Sequence, residues 1–466
     1  MQDALSRAKA AARNTPFASR HHADVVRLLL ASGERANAVQ ALDEAAVLPP
    51  GTAVDAEALG FAAFELGDHR TASLFYRHVS EAAPQDATAW YNLATALRNI
   101  GALDQAQAAC DRCLGLEPRF AQAALLRSHL FGQTAHSNHT EQLRHLLERA
   151  GGDAGSAMFL HYALGKEYDD LGDYDAAFAH FSAGAALRRA QLSYDVIADV
   201  AKLERIAQVY SAERLARVAP QPPGPYGFIV GLPRSGTTLI ERVLTGREDV
   251  ASNGETDNFT AALLSGLAPS GPDIFERAAR GDHARMARAY DKRAQSSRGA
   301  RLTLEKLPFN YLYIGAVRLA LPSARVVLLR RRPADNCFAM FSTLFANAYP
   351  FSYEQDELAR YFAGYHALME HWKRVAPGTV MEVSYEAFTA GPLALGPAVA
   401  QHMGVAWDDA MARVENNKSA SATASAAQVR QPIYQKSIGR WRHYARHLAP
   451  LIEGLRSAGI DPDEAE

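Results

Sequence analysis

The feature that most constrains the fold of this chain is the stretch from Tyr226 to Leu244, with the sequence YGFIVGLPRSGTTLIERVL. Residues 227–230 form a short apolar, β-branched run, which predicts a buried strand. Beyond a loop bounded by Gly231 and Gly236, apolar residues recur at helical spacing. A strand, a glycine loop and a helix in this order direct several backbone N–H groups at one point. The stretch therefore predicts a phosphate- or sulfate-binding site.

The cation of this loop is an arginine inside it. The two glycines have the spacing of a nucleotide-triphosphate loop, but Thr237 stands where such a loop needs a lysine for the terminal phosphates. We therefore expect Arg234, the backbone amides and the neighbouring hydroxyls to bind the anion without an obligatory metal. The predicted anion-binding residues are Pro233, Arg234, Ser235, Gly236, Thr237 and Thr238.

The motif from Pro233 to Thr238, Pro-Arg-Ser-Gly-Thr-Thr, resembles the 5′-phosphosulfate-binding loop of sulfotransferases that use 3′-phosphoadenosine 5′-phosphosulfate (PAPS). It is most similar to the tyrosylprotein sulfotransferase-like branch. The whole chain resembles proteins that join tetratricopeptide repeats to such a domain. The resemblance implies a PAPS-dependent enzyme that moves a sulfuryl group to a hydroxyl.

The first half of the chain repeats with a period of 34 residues. The recurring positions are Gly33, Gly67 and Gly101, then Ala38, Ala72 and Ala106, then Pro50, Pro84 and Pro118. This combination is typical of tetratricopeptide repeats, which form a helical solenoid with a concave face. We count about five helix pairs, with a degenerate unit at residues 121–153. Binding of a peptide or protein, and a scaffold that only packs or makes a homodimer, are equally supported uses of the repeats.

The repeat pattern and the anion loop divide the chain into three predicted segments. Residues 1–218 are predicted to be the helical repeat domain, 219–225 a proline-rich linker and 226–466 the sulfotransferase domain. In the last segment strands alternate with helices, which predicts a P-loop-like α/β domain with a central parallel sheet. Ligands of such sheets bind beyond the carboxyl ends of the strands. Four charged residues fall at or just after predicted strand ends: Arg234, Glu255, Lys306 and Arg331.

The resemblance gives these residues roles in sulfuryl transfer. Glu255 matches the family's glutamate and is the expected general base for the acceptor hydroxyl. Lys306 resembles the strand-end lysine that contacts the leaving group. Arg234 is expected to stabilise charge on the transferred group.

Further residues are expected at the nucleotide. Arg331 resembles the arginine of the family's 3′-phosphate motif, but the serine expected eight residues later is Ala339. Ser342, about one helical turn further, is the candidate substitute, with Arg330 or Arg332 as other compensating groups. The resemblance also favours a C-terminal loop that folds over the nucleotide, in which Tyr434 and Arg440 would bind it.

Composition narrows the partners and the location. With 49 Lys and Arg against 51 Asp and Glu, the chain is nearly neutral, which argues against nucleic-acid or membrane-surface binding. Three cysteines cannot form a disulfide framework and fit a reducing compartment. No apolar window reaches the roughly 18 residues of a membrane span, and the N-terminus lacks a signal-peptide run. We therefore expect a cytoplasmic protein.

Two other functions remain open at this point. A P-loop phosphoryl-transfer enzyme is disfavoured by the missing loop lysine. A non-catalytic repeat scaffold that senses nucleotide is disfavoured by the combination of Arg234, Glu255 and Lys306. The sequence does not identify the acceptor: a tyrosine, a carbohydrate hydroxyl and a small alcohol or amine all need the same donor site and base.

Overall fold

The chain folds into two compact units. The computed structural model describes residues 2–15, 19–48, 51–219, 221–294, 299–345, 348–417, 419 and 430–464. The first unit comprises Met1–Leu171, Lys292–Gly299 and Lys418–Arg430. The second comprises Gly172–Asp291, Ala300–Asn417 and Gln431–Glu466. Among the described residues no helix combines the length and the apolar character needed to cross a bilayer.

The first unit is built from helices. They are α1 (Gln2–Asn14), α2 (Ser19–Ala31), α3 (Arg35–Ala46), α4 (Ala53–Glu65), α5 (His69–Ala82), α6 (Ala87–Ile100), α7 (Leu103–Leu116), α8 (Ala121–Ser128), α9 (Thr140–Glu148) and α10 (Ala154–Asp170). The repeat alanines Ala38, Ala72 and Ala106 are all 0% exposed, because only a methyl group fits where paired helices approach this closely. The predicted helical repeats are confirmed.

Each repeat glycine ends a helix in the left-handed conformation. Gly33, Gly67 and Gly101 have φ of 74°, 76° and 82°. The residue after each of them donates its backbone N–H to a carbonyl five residues earlier, as in Ala102 N to Leu97 O at 2.9 Å. A left-handed residue in this position closes the helix with a pair of backbone hydrogen bonds, and glycine does so without a Cβ clash. Of the repeat prolines, Pro50 lies outside the described residues.

The degenerate repeat is held by a buried carboxylate. Glu167 on α10 is 0% exposed and accepts hydrogen bonds from Ser128 Oγ and from His139 N, both at 2.6 Å. The segment that interrupts the helical pattern therefore runs between α8 and α9 and is tied to α10. Burial of Glu167 is tolerated because these donors replace water around its charge.

The second unit is an α/β domain. Its strands are β1 (Tyr226–Gly231), β2 (Val250–Ser252), β3 (Leu302–Glu305), β4 (Arg325–Arg330) and β5 (Val380–Ser384). They form one sheet in the order β2-β3-β1-β4-β5, and every adjacent pair is parallel. β1, the strand before the anion loop, lies at the centre and pairs with a strand on each side. The predicted parallel sheet is confirmed.

Helices surround this sheet. They are α11 (Tyr174–Ala190), α12 (Val196–Val209), α13 (Ala212–Leu215), α14 (Thr237–Leu244), α15 (Asn258–Ser265), α16 (Ile274–Ala279), α17 (His283–Ala294), α18 (Ile314–Ala320), α19 (Pro333–Phe341), α20 (Gln355–Val375), α21 (Tyr385–Ala390), α22 (Pro392–His402) and α23 (Ala449–Ser457). Apolar residues of β1, β3 and β4 pack against α14 and α22 to form the core of the second unit. Ile229, Leu304 and Val327 in this core are 0% exposed.

The internal contacts divide the chain earlier than the proline-rich segment. Helices α11–α13 belong to the second unit, where Arg189 Nε lies 2.7 Å from Glu357 Oε2 and the Tyr210 ring packs on Trp372. A Cβ added at Gly315 would lie 2.3 Å from Tyr210 Cγ, which shows how closely this contact is packed. An independent folding boundary at residues 219–225 stays a prediction.

Candidate active site

The candidate site lies along the carboxyl edge of the sheet. Because all five strands are parallel, the residues that follow them meet at one edge. The predicted residues Arg234, Arg331, Glu255 and Lys306 lie there in two groups, together with three residues that were not predicted. We call the group of Arg234, Arg331, Tyr385 and Ser437 the loop end, and the group of Glu241, Glu255 and Lys306 the lysine end.

The anion loop depends on unusual backbone conformations. Arg234 is one of two described non-glycine residues with positive φ, at 66°. Gly236, at φ 107°, precedes α14, and a Cβ there would lie 2.5 Å from Tyr385 Cδ2. A Cβ at Gly231 would lie 2.5 Å from Leu329 O. The two glycines thus allow the loop to turn tightly beside β4 and the start of α21. A strained arginine is a common mark of a functional site.

Polar groups of the loop end are buried and suited to an anion. Within the described part of the chain, Ser235 Oγ and Arg331 Nε are buried without a hydrogen-bond partner. Thr237 and Thr238 are also buried at the start of α14. Burial of the Arg234 guanidinium, together with the charge of Arg331, lowers its pKa to about 10, so it remains a cation at neutral pH. A bound anion would satisfy these donors and offset the positive charges of Arg234 and Arg331.

Arg331 joins three parts of the loop end. Its Nη1 donates to Arg234 O at 3.0 Å and its Nη2 donates to Ser437 O at 2.7 Å. The guanidinium carbon lies 5.2 Å from the centre of the Tyr385 ring, and Tyr385 Oη lies 3.0 Å from Ser437 Oγ. The arginine therefore connects the anion loop to the start of α21 and to the C-terminal segment.

Two residues of α19 complete this arrangement, and the sequence analysis assigned them no role. Asp335, 1% exposed, accepts hydrogen bonds from the backbone N–H groups of Gly439 at 2.6 Å and Trp441 at 3.2 Å. Asn336 Nδ2 donates to Pro233 O at 2.8 Å. The only sequence signal was their place on the first turn of the helix that follows Arg331.

The lysine end contains a buried ammonium and two carboxylates. Lys306, with 1% of its side chain exposed, places Nζ 2.5 Å from Glu255 Oε1 and 3.8 Å from Glu241 Oε2. Glu255 is 42% exposed, so one side of its carboxylate faces solvent. Glu241 lies on α14 and is 13% exposed. Sequence analysis missed Glu241, because on a helix it reads as an ordinary polar position.

An aromatic group lies beside Glu255. The Tyr349 ring packs edge-to-face on Phe309 at 4.7 Å and on Phe345 at 4.8 Å between ring centres. Burial and the negative charge of Glu255 raise the pKa of Tyr349. Tyr349 is the other described non-glycine residue with positive φ, at 56°, an uncommon conformation for a bulky side chain. Phe309 follows Lys306 by three residues, so this aromatic group adjoins the lysine end.

The remaining predicted residues are placed differently. Tyr434 lies within electrostatic range of Arg234 and Arg331, and burial raises its pKa. Ser342 Oγ donates to Phe338 O at 2.9 Å, within its own helical segment. Arg440 begins the 3-10 helix Arg440–Tyr444. Burial lowers the pKa of the Arg440 guanidinium, and the nearby Tyr444 opposes this shift. The structure therefore brings Tyr434 to the loop end. Ser342 bonds within its own helical segment, and Arg440 lies in a separate short helix. Most of the predicted loop before Tyr434, residues 420–429, lies outside the described residues.

In the described ranges, no cluster of three or more His, Cys, Asp or Glu residues is arranged to hold a metal ion.

Comparison with known proteins identifies two family models that match parts of the chain. Residues 225–409 match the model described as the sulfotransferase family. Residues 87–120 and 160–191 match the tetratricopeptide repeat. An uncharacterised protein of Aquifex aeolicus (strain VF5) is 25% identical over 395 residues, which are 82% of this chain and 52% of that protein. The chain therefore spans about half the length of this relative.

Solved sulfotransferases are among the similar structures. One from Alicyclobacillus acidocaldarius is 18% identical, and the match covers 52% of this chain and 98% of that one with a TM-score of 0.28. Sulfotransferase STF9 from Mycobacterium avium is 15% identical, with 69% of this chain and 97% of that one covered and a TM-score of 0.31.

Proposed function

Because residues 225–409 form a sulfotransferase-family domain in a chain that also carries tetratricopeptide repeats, we propose that this protein transfers a sulfuryl group from PAPS to an acceptor hydroxyl. The observation that carries the proposal is the pairing of two different charge arrangements on one sheet edge. The loop end presents two adjacent cations, and the lysine end presents a cation beside a half-exposed carboxylate. An anionic donor and a proton-accepting base are the two requirements of sulfuryl transfer.

The donor is assigned to the loop end. The backbone amides of the anion loop, with Arg234 and the hydroxyls of Ser235, Thr237 and Thr238, would hold the 5′-phosphosulfate. Arg331 would contact the 3′-phosphate. Its buried Nε supports this role, because Nη1 and Nη2 already bind carbonyl oxygens while Nε retains a donor. Tyr434 would line the same donor site, with Ser342 and Arg440 as further candidate nucleotide contacts.

The chemistry is assigned to the lysine end. Glu255 takes the acceptor proton as the acceptor oxygen forms its bond to sulfur, and the bond from sulfur to the phosphate oxygen breaks. Lys306 and Arg234 stabilise the negative charge that develops on the leaving phosphate and on the sulfuryl oxygens. PAPS supplies the sulfuryl group and leaves as adenosine 3′,5′-bisphosphate. General-base assistance of this type contributes about 10²–10⁴-fold to a rate.

The aromatic group beside Glu255 supports an acceptor with an aromatic ring. Phe309 and Phe345 are partly exposed, and Tyr349 packs edge-to-face on both of them. A phenol such as a tyrosine side chain could pack on these rings with its hydroxyl toward Glu255, since aromatic pairs favour such contacts. The repeats favour a tyrosine that belongs to a peptide or protein.

Ligand-induced stabilisation tests the donor assignment, and labelled transfer tests the reaction. Adenosine 3′,5′-bisphosphate should raise the melting temperature more than AMP, because a ligand that binds only the folded state stabilises it more the more tightly it binds. Label from ³⁵S-PAPS should appear in a tyrosine-containing peptide pool. Stabilisation by ATP with magnesium, accompanied by ATP turnover, would favour a phosphoryl-transfer enzyme instead. Bisphosphate binding without transfer to any acceptor would favour a nucleotide sensor.

A further inference from the structure

The geometry points to Glu241 as a positioning residue that holds the Lys306 ammonium in place while Glu255 turns to the acceptor. This inference rests on the sulfuryl-transfer reaction proposed above. It adds a residue on the anion-loop helix α14 to the reaction, and through that residue it links the donor loop to the base.

Lys306 needs a second carboxylate because it is buried. Its side chain is 1% exposed, so water cannot replace a lost partner. Glu255 Oε1, 2.5 Å away, is its short contact, and a carboxylate that accepts a proton from substrate loses the charge that paired with the lysine. A buried ammonium without a counter-charge is strongly unfavourable. Glu241 Oε2, at 3.8 Å, supplies the remaining negative charge.

Glu241 is itself held in place by Ser252. Ser252 Oγ donates to Glu241 Oε1 at 2.5 Å and accepts a hydrogen bond from Gly254 N at 3.0 Å. The carbonyl of Gly254 in turn accepts from Lys306 N at 3.0 Å. Gly254 has φ of 67° and directly precedes Glu255, so this chain of contacts positions the turn that carries the proposed base.

In this arrangement the Lys306 ammonium keeps a counter-charge throughout the reaction. Before transfer, two carboxylates face one ammonium. After Glu255 has accepted the acceptor proton, Glu241 and Lys306 remain as a neutral ion pair. The ammonium therefore keeps both its charge and its place when the leaving phosphate needs a donor.

The main test compares two matched carboxylate-to-amide variants. Glu241→Gln should lower kcat by about 10²-fold, the size of effect expected from a misplaced catalytic group, while KM for PAPS changes little. Glu248→Gln, at an exposed position four residues beyond the end of α14, should leave both constants unchanged. An unchanged kcat for Glu241→Gln overturns the inference.

A double-mutant cycle separates positioning from a purely structural role. In a Lys306→Met background, Glu241→Gln should cause no further loss of kcat, because the group that it positions is absent. Equal losses in both backgrounds overturn the inference. If Glu241→Gln does not fold, Ser252→Ala takes its place in the cycle and should give a smaller, equally Lys306-dependent loss.

The same cycle measured by thermal unfolding needs no turnover. Glu241→Gln should lower the melting temperature of the wild-type protein more than that of Lys306→Met, since the two side chains share one interaction. Independent effects on stability overturn the inference. Coupling in stability together with a wild-type protein that transfers no label supports the Glu241–Lys306 contact and refutes the proposed reaction, so the two failures are distinguishable.

Discussion

The loop end and the lysine end both contain cations, but the partners of these cations differ. Arg331 binds two backbone carbonyl oxygens and faces an aromatic ring, all of which are uncharged. Lys306 contacts two carboxylates. The positive charge of Arg331 is therefore available to an anion, whereas that of Lys306 is compensated and lies beside the carboxylate that we propose as the proton acceptor. In the proposed reaction, binding and chemistry are therefore separated along one sheet edge.

The largest expected effect follows from removing the base at the lysine end. Glu255→Gln retains the size of the side chain but cannot accept the acceptor proton. Turnover should fall by about 10²–10⁴-fold. Affinity for adenosine 3′,5′-bisphosphate should change little, because the donor is bound at the loop end. A transfer assay paired with calorimetry measures both quantities.

The expected separation of turnover from bisphosphate binding can fail in two ways. If turnover survives in Glu255→Gln, another residue is the base, and His366 and His371 are the next candidates. His371 is a weak one, because it is buried and its Nε2 lies 3.0 Å from Tyr210 O. If bisphosphate binding is lost together with turnover, the two ends are one structural unit and the comparison does not hold.

An intermediate effect is expected at the loop end. Arg331→Gln should weaken binding of adenosine 3′,5′-bisphosphate by about 10–100-fold, the value of a hydrogen bond to a charged group. AMP, which lacks the 3′-phosphate, should lose much less. Arg360→Gln, at an exposed position of α20, is the matched control and should reduce neither affinity appreciably. Equal losses for the two variants would mean that the general positive charge, and not Arg331, recognises the phosphate.

The smallest effect on the reaction is expected at Glu305, which precedes Lys306 but belongs to neither end. It is 0% exposed, and burial raises its pKa to about 7 despite hydrogen bonds from Asn310 Nδ2 at 2.8 Å and Phe259 N at 3.4 Å. The folded protein therefore binds this proton more tightly than the unfolded chain. The stabilisation is complete below about pH 4.5 and is lost as pH rises through about 7.

Glu305→Gln should remove this pH dependence. At pH 8 the variant should be more stable than the wild type by up to about 3 kcal/mol, and the difference should shrink toward pH 5. Calorimetric melting temperatures at the two pH values measure it, with Glu248→Gln as the exposed control. Bisphosphate affinity should be unchanged. A variant that is less stable at both pH values would show that the carboxylate is needed for packing in its charged form.

Local patterns in the sequence were sufficient to predict much of the architecture. The 34-residue spacing of glycines and alanines predicted the paired helices, because each repeat packs only against the repeats next to it in the chain. The apolar runs predicted the parallel strands. The strand-end positions of Glu255 and Lys306 predicted that they would lie on one edge, since parallel strands bring their carboxyl ends together.

Contacts between segments that are distant in the chain could not be predicted from local sequence patterns. Glu241 and Lys306 are 65 residues apart, and Asp335 binds backbone groups 104 and 106 residues later. Asp335 and Glu241 read locally as ordinary polar helix residues. Their partners depend on which strands are neighbours and on where the C-terminal segment returns.

The sequence by itself determined the repeat period, the alternation of strands and helices, and the charged groups available at the strand ends, because these are properties of short segments. The tertiary structure alone decided how the charges are distributed among partners. The order β2-β3-β1-β4-β5 places Lys306 and Glu255 on adjacent strand ends and the anion loop between β3 and β4. Lys306 thereby faces carboxylates, while Arg331 faces carbonyl oxygens and an aromatic ring. Strand order is set by packing across the whole sheet, so no single stretch of the chain contains it.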